Sequence, residues 1–561
     1  MKKMKKAVAF LALASVLSTT ALGFVGCGKK VANDENTLEI FIENFGYGYE
    51  WLNDEIELFK QQDWVKEKYP NLNIPDIAFN SKNAYAAERV VSGKNANSVD
   101  LFFAITPSAG YYSRTDNSGN LYFEDMASFY DTKIPGEELT VKQKMRSDLV
   151  DMQYIEKFDG GKTYYAVPWV DGWMGIMYNK TLVDQYLGAD YQLPRTTVEF
   201  LEMTTDLKNA NVKSGSGKDA TPFITSSKVS YWTEIFVTWW AQYEGVQGYN
   251  NFWNGVDEYE NRSSDIFKQY GRLRSLEALE SLIGVEAGNN HAEVNTLEFT
   301  IAQAKFLLGE GVMMPNGDWL ESEMRSAAEE NPYDYDITFM KTPVVSAIVE
   351  KLDLWTEGET VEYNDIDATK KAAYDEKLAA IITAVDEEKT FAEAAATIDG
   401  LTESDYAKVT EARKVIYKIK GHEAFIPAYA TAKDLAKDFL LFLATDVACE
   451  QFMESTNGCG VPYHYDVKTK SPELYNGLSQ MHKDRIEIMD KAIKLMPLNS
   501  FRLVNYGGLS YFCKTPLLDV VFTAKNPVDR KTASQVWQED IDFYTSSNGA
   551  NWTSLLIAAG L

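Results

Sequence analysis

The stretch LEIFIENFGYGYEWLNDEIELF, residues 38–59, decides how the chain folds. Its first part places an apolar residue at every second position from Leu38 to Ile42, which predicts a strand. Its last part predicts an amphipathic helix, because apolar residues recur at helical spacing at Leu52, Ile56 and Phe59. A loop rich in glycine and aromatic residues, 44–51, joins the two. Ligands of α/β sheets bind at this carboxyl end of a strand, so the loop is a candidate binding element.

The same alternation of strands and helices continues along the chain. Further extended segments are predicted at 99–103, 164–169 and 336–343, and a strong helix is predicted around Leu435, Phe439 and Phe442. Thr196 with Glu199 has the spacing of a capping box at a helix start. Strands that alternate with helices predict the α/β fold class.

Composition excludes some functions and leaves others open. The chain has 561 residues, 45% of them apolar, which is typical of a globular protein. Its 55 basic and 82 acidic residues give a net charge of −27, which disfavours a nucleic-acid partner. The 12 Trp and 32 Tyr residues are numerous enough to suggest a surface on which a ligand stacks.

The N-terminus carries a targeting signal. Four lysines precede an uncharged stretch, 7–25, which ends at Gly26 and Cys27. This order predicts a secretory signal, and the cysteine resembles the lipid-attachment residue of bacterial lipoproteins. We therefore predict a signal peptide at 1–26, lipidation of Cys27 and a tether at 27–36. The alternative is an uncleaved transmembrane anchor, since the stretch is long enough to consider.

The segment 350–420 differs from its surroundings. Leu378, Ile381, Ile382 and Val385 mark one amphipathic helix, and Thr402 with Asp405 opens a second. We predict an inserted helical hairpin that packs on a lobe surface, away from any ligand.

The order of these signals resembles that of the extracellular solute-binding proteins of the maltose-binding type, the receptor components of ABC importers. The matching segments are the strand and loop at 38–51, Tyr165 to Trp169, Tyr178-Asn179-Lys180, the helix start at Thr196, Asn316 to Trp319, the helix at 434–439 and the turn at 458–462. Each motif is weak alone, and the insert at 350–420 departs from the family pattern. The order of the motifs and the N-terminal signal carry the resemblance.

The resemblance implies a fold of two α/β lobes that clamp a ligand between them, with a hinge of the periplasmic-binding type (type II). It places chain crossings near Pro168, Pro343 and Thr431. The first lobe would then hold 37–167 plus 344–430, with the helical insert at 350–420. The second would hold 168–343 plus 431–561.

Sugars present apolar C–H faces and paired hydroxyls, so their sites need aromatic platforms beside polar acceptors. The candidate ligand-binding residues are Tyr47, Tyr49, Glu50, Trp51, Phe103, Thr106, Trp169, Asp171, Trp173, Tyr231, Trp232 and Trp319. Core packing is the alternative role for Trp51, and hinge packing is the alternative for Trp169, Asp171 and Trp173.

The resemblance implies a non-enzymatic, monomeric receptor outside the cytoplasm, held at the cell surface or in the periplasm by its lipid. Its partners would be a carbohydrate, with an oligosaccharide as the expected size, and the ABC permease subunits. No cofactor or metal is expected, and the spacing of Cys449, Cys459 and Cys513 matches no CxxC metal site. Two alternatives stay open: a secreted glycoside hydrolase, and a sensory or adhesion lipoprotein of the same fold. The identity of the sugar, and whether Cys449 pairs with Cys459, also stay open.

Overall fold

The strand, loop and helix expected at residues 38–59 are present in the computed structural model. Strand β1 is Ile40–Glu43, and all four of its residues are buried. Helix α1 is Glu50–Gln61, and its buried face contains Trp51, Leu52, Ile56 and Phe59. The loop between them, which includes Tyr47 and Tyr49, follows the carboxyl end of β1.

The structure describes residues 34–80, 86–105, 109–153, 155–156, 162–330, 332–356, 362–418, 422–495, 500–515, 517–546 and 549–561. Cys27, the signal peptide at 1–26 and Thr106 lie outside the described residues. Among the helices within these ranges, none combines the length and apolar character that crossing a bilayer requires.

Thirteen strands are present in the described part of the chain. They are β1 Ile40–Glu43, β2 Ala78–Asn80, β3 Leu101–Ile105, β4 Ile155–Glu156, β5 Lys162–Thr163, β6 Val167–Pro168, β7 Met174–Asn179, β8 Thr221–Phe223, β9 Gly311–Gly317, β10 Ile337–Met340, β11 Val415–Tyr417, β12 His422–Phe425 and β13 Ile493–Leu495.

The helices of eight or more residues in the same ranges are α1 Glu50–Gln61, α2 Lys180–Leu187, α3 Thr197–Asn209, α4 Trp232–Asn254, α5 Tyr270–Ile283, α6 Phe299–Leu307, α7 Ala368–Asp386, α8 Glu403–Lys414, α9 Lys433–Leu443, α10 Asp446–Ser455, α11 Gln480–Lys491, α12 Ala533–Thr545 and α13 Ala550–Ala559. Shorter helices are Asp63–Lys68, Ala86–Val91, Ala109–Tyr112, Ala127–Tyr130, Val141–Lys144, Ser147–Gln153, Leu320–Glu323, Arg325–Glu330, Asp353–Thr356, Phe391–Ala395, Val467–Lys470, Pro472–Gly477, Arg502–Asn505 and Leu518–Thr523.

Two separate sheets define two lobes, which confirms the two-lobed α/β fold. The first sheet has the strand order β2-β1-β3-β12-β6, and the second has the order β10-β7-β9-β8. In the first, β1 runs parallel to β2 and β3, whereas β12 runs antiparallel to β3 and β6. In the second, β7 is antiparallel to β10 and β9, and β8 is parallel to β9.

The buried apolar residues divide the chain in the same way. We call residues 34–170 plus 422–478 lobe 1, because their apolar side chains form the clusters around the first sheet. We call residues 174–417 plus 480–561 lobe 2, since theirs surround the second sheet. The chain therefore passes between lobes at 171–173, between Tyr417 and His422, and near 479.

The predicted lobe boundaries at Pro343 and Thr431 are wrong. After β10 the chain stays in lobe 2, where the Pro343 carbonyl accepts a hydrogen bond from Trp239 Nε1 at 3.0 Å. The Val345 N–H donates to Gln242 Oε1 at 2.9 Å, again on α4. Residues 344–417 thus belong to lobe 2. Residues 431–478 belong to lobe 1, because Leu435, Phe439 and Phe442 pack in its core.

The segment 350–420 contains the two expected helices, α7 and α8, which contact each other. Thr402 caps α8, with its hydroxyl oxygen accepting from the Asp405 N–H at 3.0 Å. The apolar stripe of α7 is fully buried at Leu378, Ile381 and Ile382 and belongs to the core cluster of α4. The hairpin therefore packs on lobe 2 as an integral layer, and the prediction that it lies on the other lobe is wrong.

We predict that Ile382→Ala lowers the free energy of unfolding by about 2–5 kcal/mol, the usual cost of a core cavity. Urea denaturation followed by circular dichroism measures this. Glu376→Ala, at an exposed position of the same helix, is the matched control and should change stability by less than about 0.5 kcal/mol. Equal, small effects of the two variants would show that the hairpin is a detachable surface element.

Candidate functional site: the junction of the two lobes

A buried carboxylate connects the two lobes. Asp318 follows β9 in lobe 2, and its Oδ1 accepts a hydrogen bond from the Tyr47 hydroxyl of lobe 1 at 2.9 Å. Its Oδ2 accepts from Arg485 Nε on α11. Both Asp318 and Tyr47 are buried. Because burial and the neighbouring Asp318 charge raise the pKa of Tyr47 well above its usual value, this phenol stays a donor.

Close backbone approach makes this contact possible. A Cβ atom added at Gly46 would lie 2.8 Å from the Trp319 indole carbons, so only glycine fits between the loop of lobe 1 and the Trp319 ring of lobe 2. The glycine-rich loop identified in the sequence thus serves the contact between the lobes.

Charged residues fill the hinge beside Asp318. The Asp171 carboxylate lies 2.5 Å from Lys418 Nζ and 3.3 Å from Arg146 Nε. Lys418, fully buried, also contacts Asp148 at 2.6 Å. Burial raises the pKa of Asp171, but the positive charges of Lys418 and Arg146 outweigh it and hold that pKa below its usual range. Lys418 also pairs with Trp173 through the backbone, so this network ties two of the chain crossings together.

Aromatic rings surround Tyr47 at the junction. The Tyr47 ring meets Trp169 and Trp319 edge-on, both at 5.8 Å between centroids, and His422 at 5.0 Å. Tyr231 lies 6.5 Å from Trp319 in lobe 2. Burial lowers the pKa of His422 to about 4, so its imidazole is neutral at neutral pH. Rings from both lobes therefore meet around one point.

Four of the predicted ligand-binding residues keep solvent-accessible surface. Glu50 is exposed, and Tyr49, Tyr231 and Trp319 are partly exposed. Tyr49 and Glu50 lie in lobe 1, whereas Tyr231 and Trp319 lie in lobe 2.

The other described candidates are buried. Trp51, Phe103, Trp173 and Trp232 are at most 1% exposed, so they cannot touch a ligand in this conformation. Trp51 stacks on Trp169 at 4.9 Å in the core of lobe 1. Trp173 packs on Phe339 at 4.5 Å. Tyr47, Trp169 and Asp171 are buried as well, and they form the base of the junction described above.

Several residues of this site had not been singled out from the sequence. Asp318, the nearby pair Lys418 and His422, and Arg485 come from three distant parts of the chain. The sequence pattern includes Asp318 only as part of the turn before Trp319. These groups come together only in the folded chain. Lys418 and His422 lie at the second passage between the lobes.

Glu234 is a further residue that sequence reasoning missed. It lies three residues after Tyr231 on the first turn of α4, and its charge acts on both Tyr231 and Tyr417. Burial raises its pKa to about 8. Its Oε2 atom is buried and has no hydrogen-bond partner among the described residues. The i, i+3 spacing from Tyr231 was the available signal. A protonated carboxyl here can both donate to and accept from a hydroxyl.

The described part of the chain contains no group of three or more His, Cys, Asp or Glu side chains arranged to hold a metal ion. Cys449, Cys459 and Cys513 are free thiols, the first two buried. The Cys459 thiol lies 3.7 Å from the Asp318 carbonyl oxygen, within the wall of the junction.

We predict that Asp171→Asn lowers the free energy of unfolding by about 3 kcal/mol at pH 7, because it leaves the buried Lys418 with Asp148 alone and Arg146 without its carboxylate. The folded pKa of Asp171 is depressed, so its contribution is fully present above the unfolded value of 3.8 and is lost as the pH falls through the folded pKa. The difference in unfolding free energy between the parent and the variant should therefore shrink only below about pH 4. Urea denaturation across this range measures it.

The control is Asp190→Asn at an exposed position. This substitution should change the free energy of unfolding by less than about 0.5 kcal/mol at any pH. A deficit for Asp171→Asn that is equally small at pH 7 would contradict the role assigned to the hinge network.

The sequence matches no protein-family model and no curated protein. Solved structures do match. A chitin oligosaccharide binding protein aligns with a TM-score of 0.53 at 13% identity, over 92% of this chain and 99% of its own. Maltose-bound T. maritima MalE3 aligns with a TM-score of 0.54 at 14% identity, over 90% and 98%. A probable secreted solute-binding lipoprotein from Streptomyces coelicolor gives 0.53 at 11%, over 91% and 99%. The chain therefore has the two-lobed fold of these solute-binding proteins along nearly its whole length.

Proposed function

We propose that this protein is the substrate-binding component of an ABC importer and that it binds a carbohydrate between its lobes. The proposed carbohydrate is an oligosaccharide. The observation that carries the proposal is the junction itself. The partly exposed Trp319 ring of lobe 2 meets the Tyr47 ring of lobe 1 there, beside the Asp318 carboxylate. Tyr49 belongs to lobe 1, while Tyr231 and Trp319 belong to lobe 2. The fold shared with sugar-binding proteins supports the same assignment.

The chemistry of a sugar matches these groups. Tyrosine and tryptophan rings cover the apolar C–H faces and lose little rotamer freedom when they do so. The Glu50 carboxylate is exposed and can accept hydrogen bonds from sugar hydroxyls.

Closure of the lobes would follow from ligand binding. A ligand that contacts both lobes binds the closed arrangement better and shifts the population toward it. The hydrogen bond from Tyr47 to Asp318 joins the lobes in the arrangement described, so it belongs to the closed state in this proposal.

The protein acts, in this proposal, by binding and delivery rather than by catalysis. The structural neighbours named above are binding proteins by their descriptions. Incubation with oligosaccharides should give saturable binding and no shortened product. Release of a shorter sugar would instead favour a glycoside hydrolase.

The proposal also places the protein outside the cytoplasm, monomeric, and anchored to the membrane by a lipid on Cys27. Support comes from the lysines, the uncharged stretch and the cysteine at the start of the sequence. From there it would deliver the sugar to the permease subunits.

We predict that Trp319→Ala and Tyr231→Ala each weaken oligosaccharide binding about thirtyfold, the effect of removing an aromatic that carries about 2 kcal/mol of binding energy. Titration calorimetry against chito-, malto- and xylo-oligosaccharides measures the affinity. Tyr259→Ala, which removes an exposed tyrosine after α4, is the matched control and should bind as the parent does. Parental affinity in folded Trp319→Ala and Tyr231→Ala would mean that the ligand binds elsewhere.

We predict that Cys27→Ala abolishes lipid attachment and releases the chain from the membrane fraction, because lipid modification needs the thiol. Phase partitioning in detergent measures this, with Cys513→Ala as the control that keeps the anchor. If Cys27→Ala still partitions with the membrane, the N-terminal stretch is an uncleaved anchor.

A further inference from the structure

A second concave site lies away from the lobe junction. A cavity of about 470 Å³ opens where the C-terminal ends of α7 and α8, the end of β10 and helix α11 meet. Its lining contains none of Tyr49, Glu50, Tyr231 and Trp319. Its volume lies within the range of sites that hold small organic molecules.

Part of the cavity lining is apolar. Trp173, Val385, Ile416 and Ile488 line it there. Trp173 belongs to the first passage between the lobes, and Ile416 lies just before the second. This wall suits the hydrocarbon or aromatic body of a ligand.

Half of the lining is charged, and positive charge predominates. Five cationic side chains line the cavity against three acidic ones. The chain as a whole carries a net charge of −27, so this lining departs from the surrounding surface and locally favours an anion.

Ion pairs hold the walls in place without using all of the positive charge. Asp386 accepts from Lys341 at 2.9 Å and from both Nε and Nη2 of Arg413. Lys491 on α11 pairs with Glu388, which lies just after α7. Lys389 pairs with Glu387. Lys414, at the end of α8, forms no ion pair within 4 Å among the described residues, although its charge helps to lower the pKa of Glu388, and it can also pair with a bound anion.

The cavity continues into a shallow groove of about 420 Å³ that Phe391 and Tyr406 line. Thr410 lines both spaces, and its hydroxyl has no hydrogen-bond partner in the described part of the chain. A ligand that spans both spaces therefore meets an apolar wall, an unpartnered hydroxyl and an unpaired cation.

We propose that this cavity is a second ligand site, which binds a small amphipathic organic anion. The apolar body of the ligand lies against Ile488, the partly exposed apolar residue of the lining, and its acidic group lies toward Lys414. The site is separate from the carbohydrate site proposed above and does not depend on it.

The test uses two fluorescent probes with the same aromatic framework. 8-Anilinonaphthalene-1-sulfonate carries a sulfonate, and N-phenyl-1-naphthylamine does not. The parent protein should bind the sulfonate probe with saturable one-site fluorescence and the neutral probe at least about tenfold more weakly. Lys414→Glu should weaken sulfonate binding about fivefold or more and leave the neutral probe unaffected. Thr410→Phe should fill the space and weaken binding of both probes.

Lys408→Glu is the matched control, because Lys408 lies on the same helix but outside the lining and donates to the Lys351 carbonyl. It should bind the sulfonate probe within about twofold of the parent. Circular dichroism confirms that each variant is folded. Three results overturn the proposal: no saturable binding of the sulfonate probe, equal affinity for both probes, or the same loss of affinity in Lys408→Glu as in Lys414→Glu.

Discussion

The arrangement of the two lobes depends on the hydrogen bonds that the buried carboxylate of Asp318 accepts. A carboxylate without water needs donors, and here one comes from Tyr47 of lobe 1 and another from Arg485 of lobe 2. Removing either donor leaves a charge that burial makes costly. Because Trp319 follows Asp318 directly, the same contact fixes where the aromatic ring of lobe 2 meets the loop of lobe 1.

Part of this fold is predictable from the sequence, because short-range patterns carry it. The alternation at 38–42 and the helical spacing after Trp51 correspond to β1 and α1. The lobe assignment of 344–417 is not predictable in this way. Periodicity identifies the apolar face of α7, but nothing local says that this face packs on α4 rather than on the other lobe.

The candidate site also has a part that local sequence patterns predict and a part that they do not. Sequence pattern points to aromatic residues beside glycine and at a strand end, and of these Trp319 contacts both Tyr47 of lobe 1 and Tyr231 of lobe 2. Residue type alone does not separate a ligand platform from a core residue, and so Trp51 and Trp173 were selected although their rings pack inside the protein. The hinge network could not be predicted, since 314 residues separate Asp171 from Arg485 in sequence.

The central claim is that two lobes clamp a carbohydrate between them, and small-angle X-ray scattering tests it most directly. The lipid-free chain is measured alone and then saturated with the oligosaccharide that binds best in calorimetry. The account predicts that the radius of gyration falls on saturation, because the ligand shifts the population toward the closed arrangement. A radius that is the same with and without tightly bound sugar would contradict it.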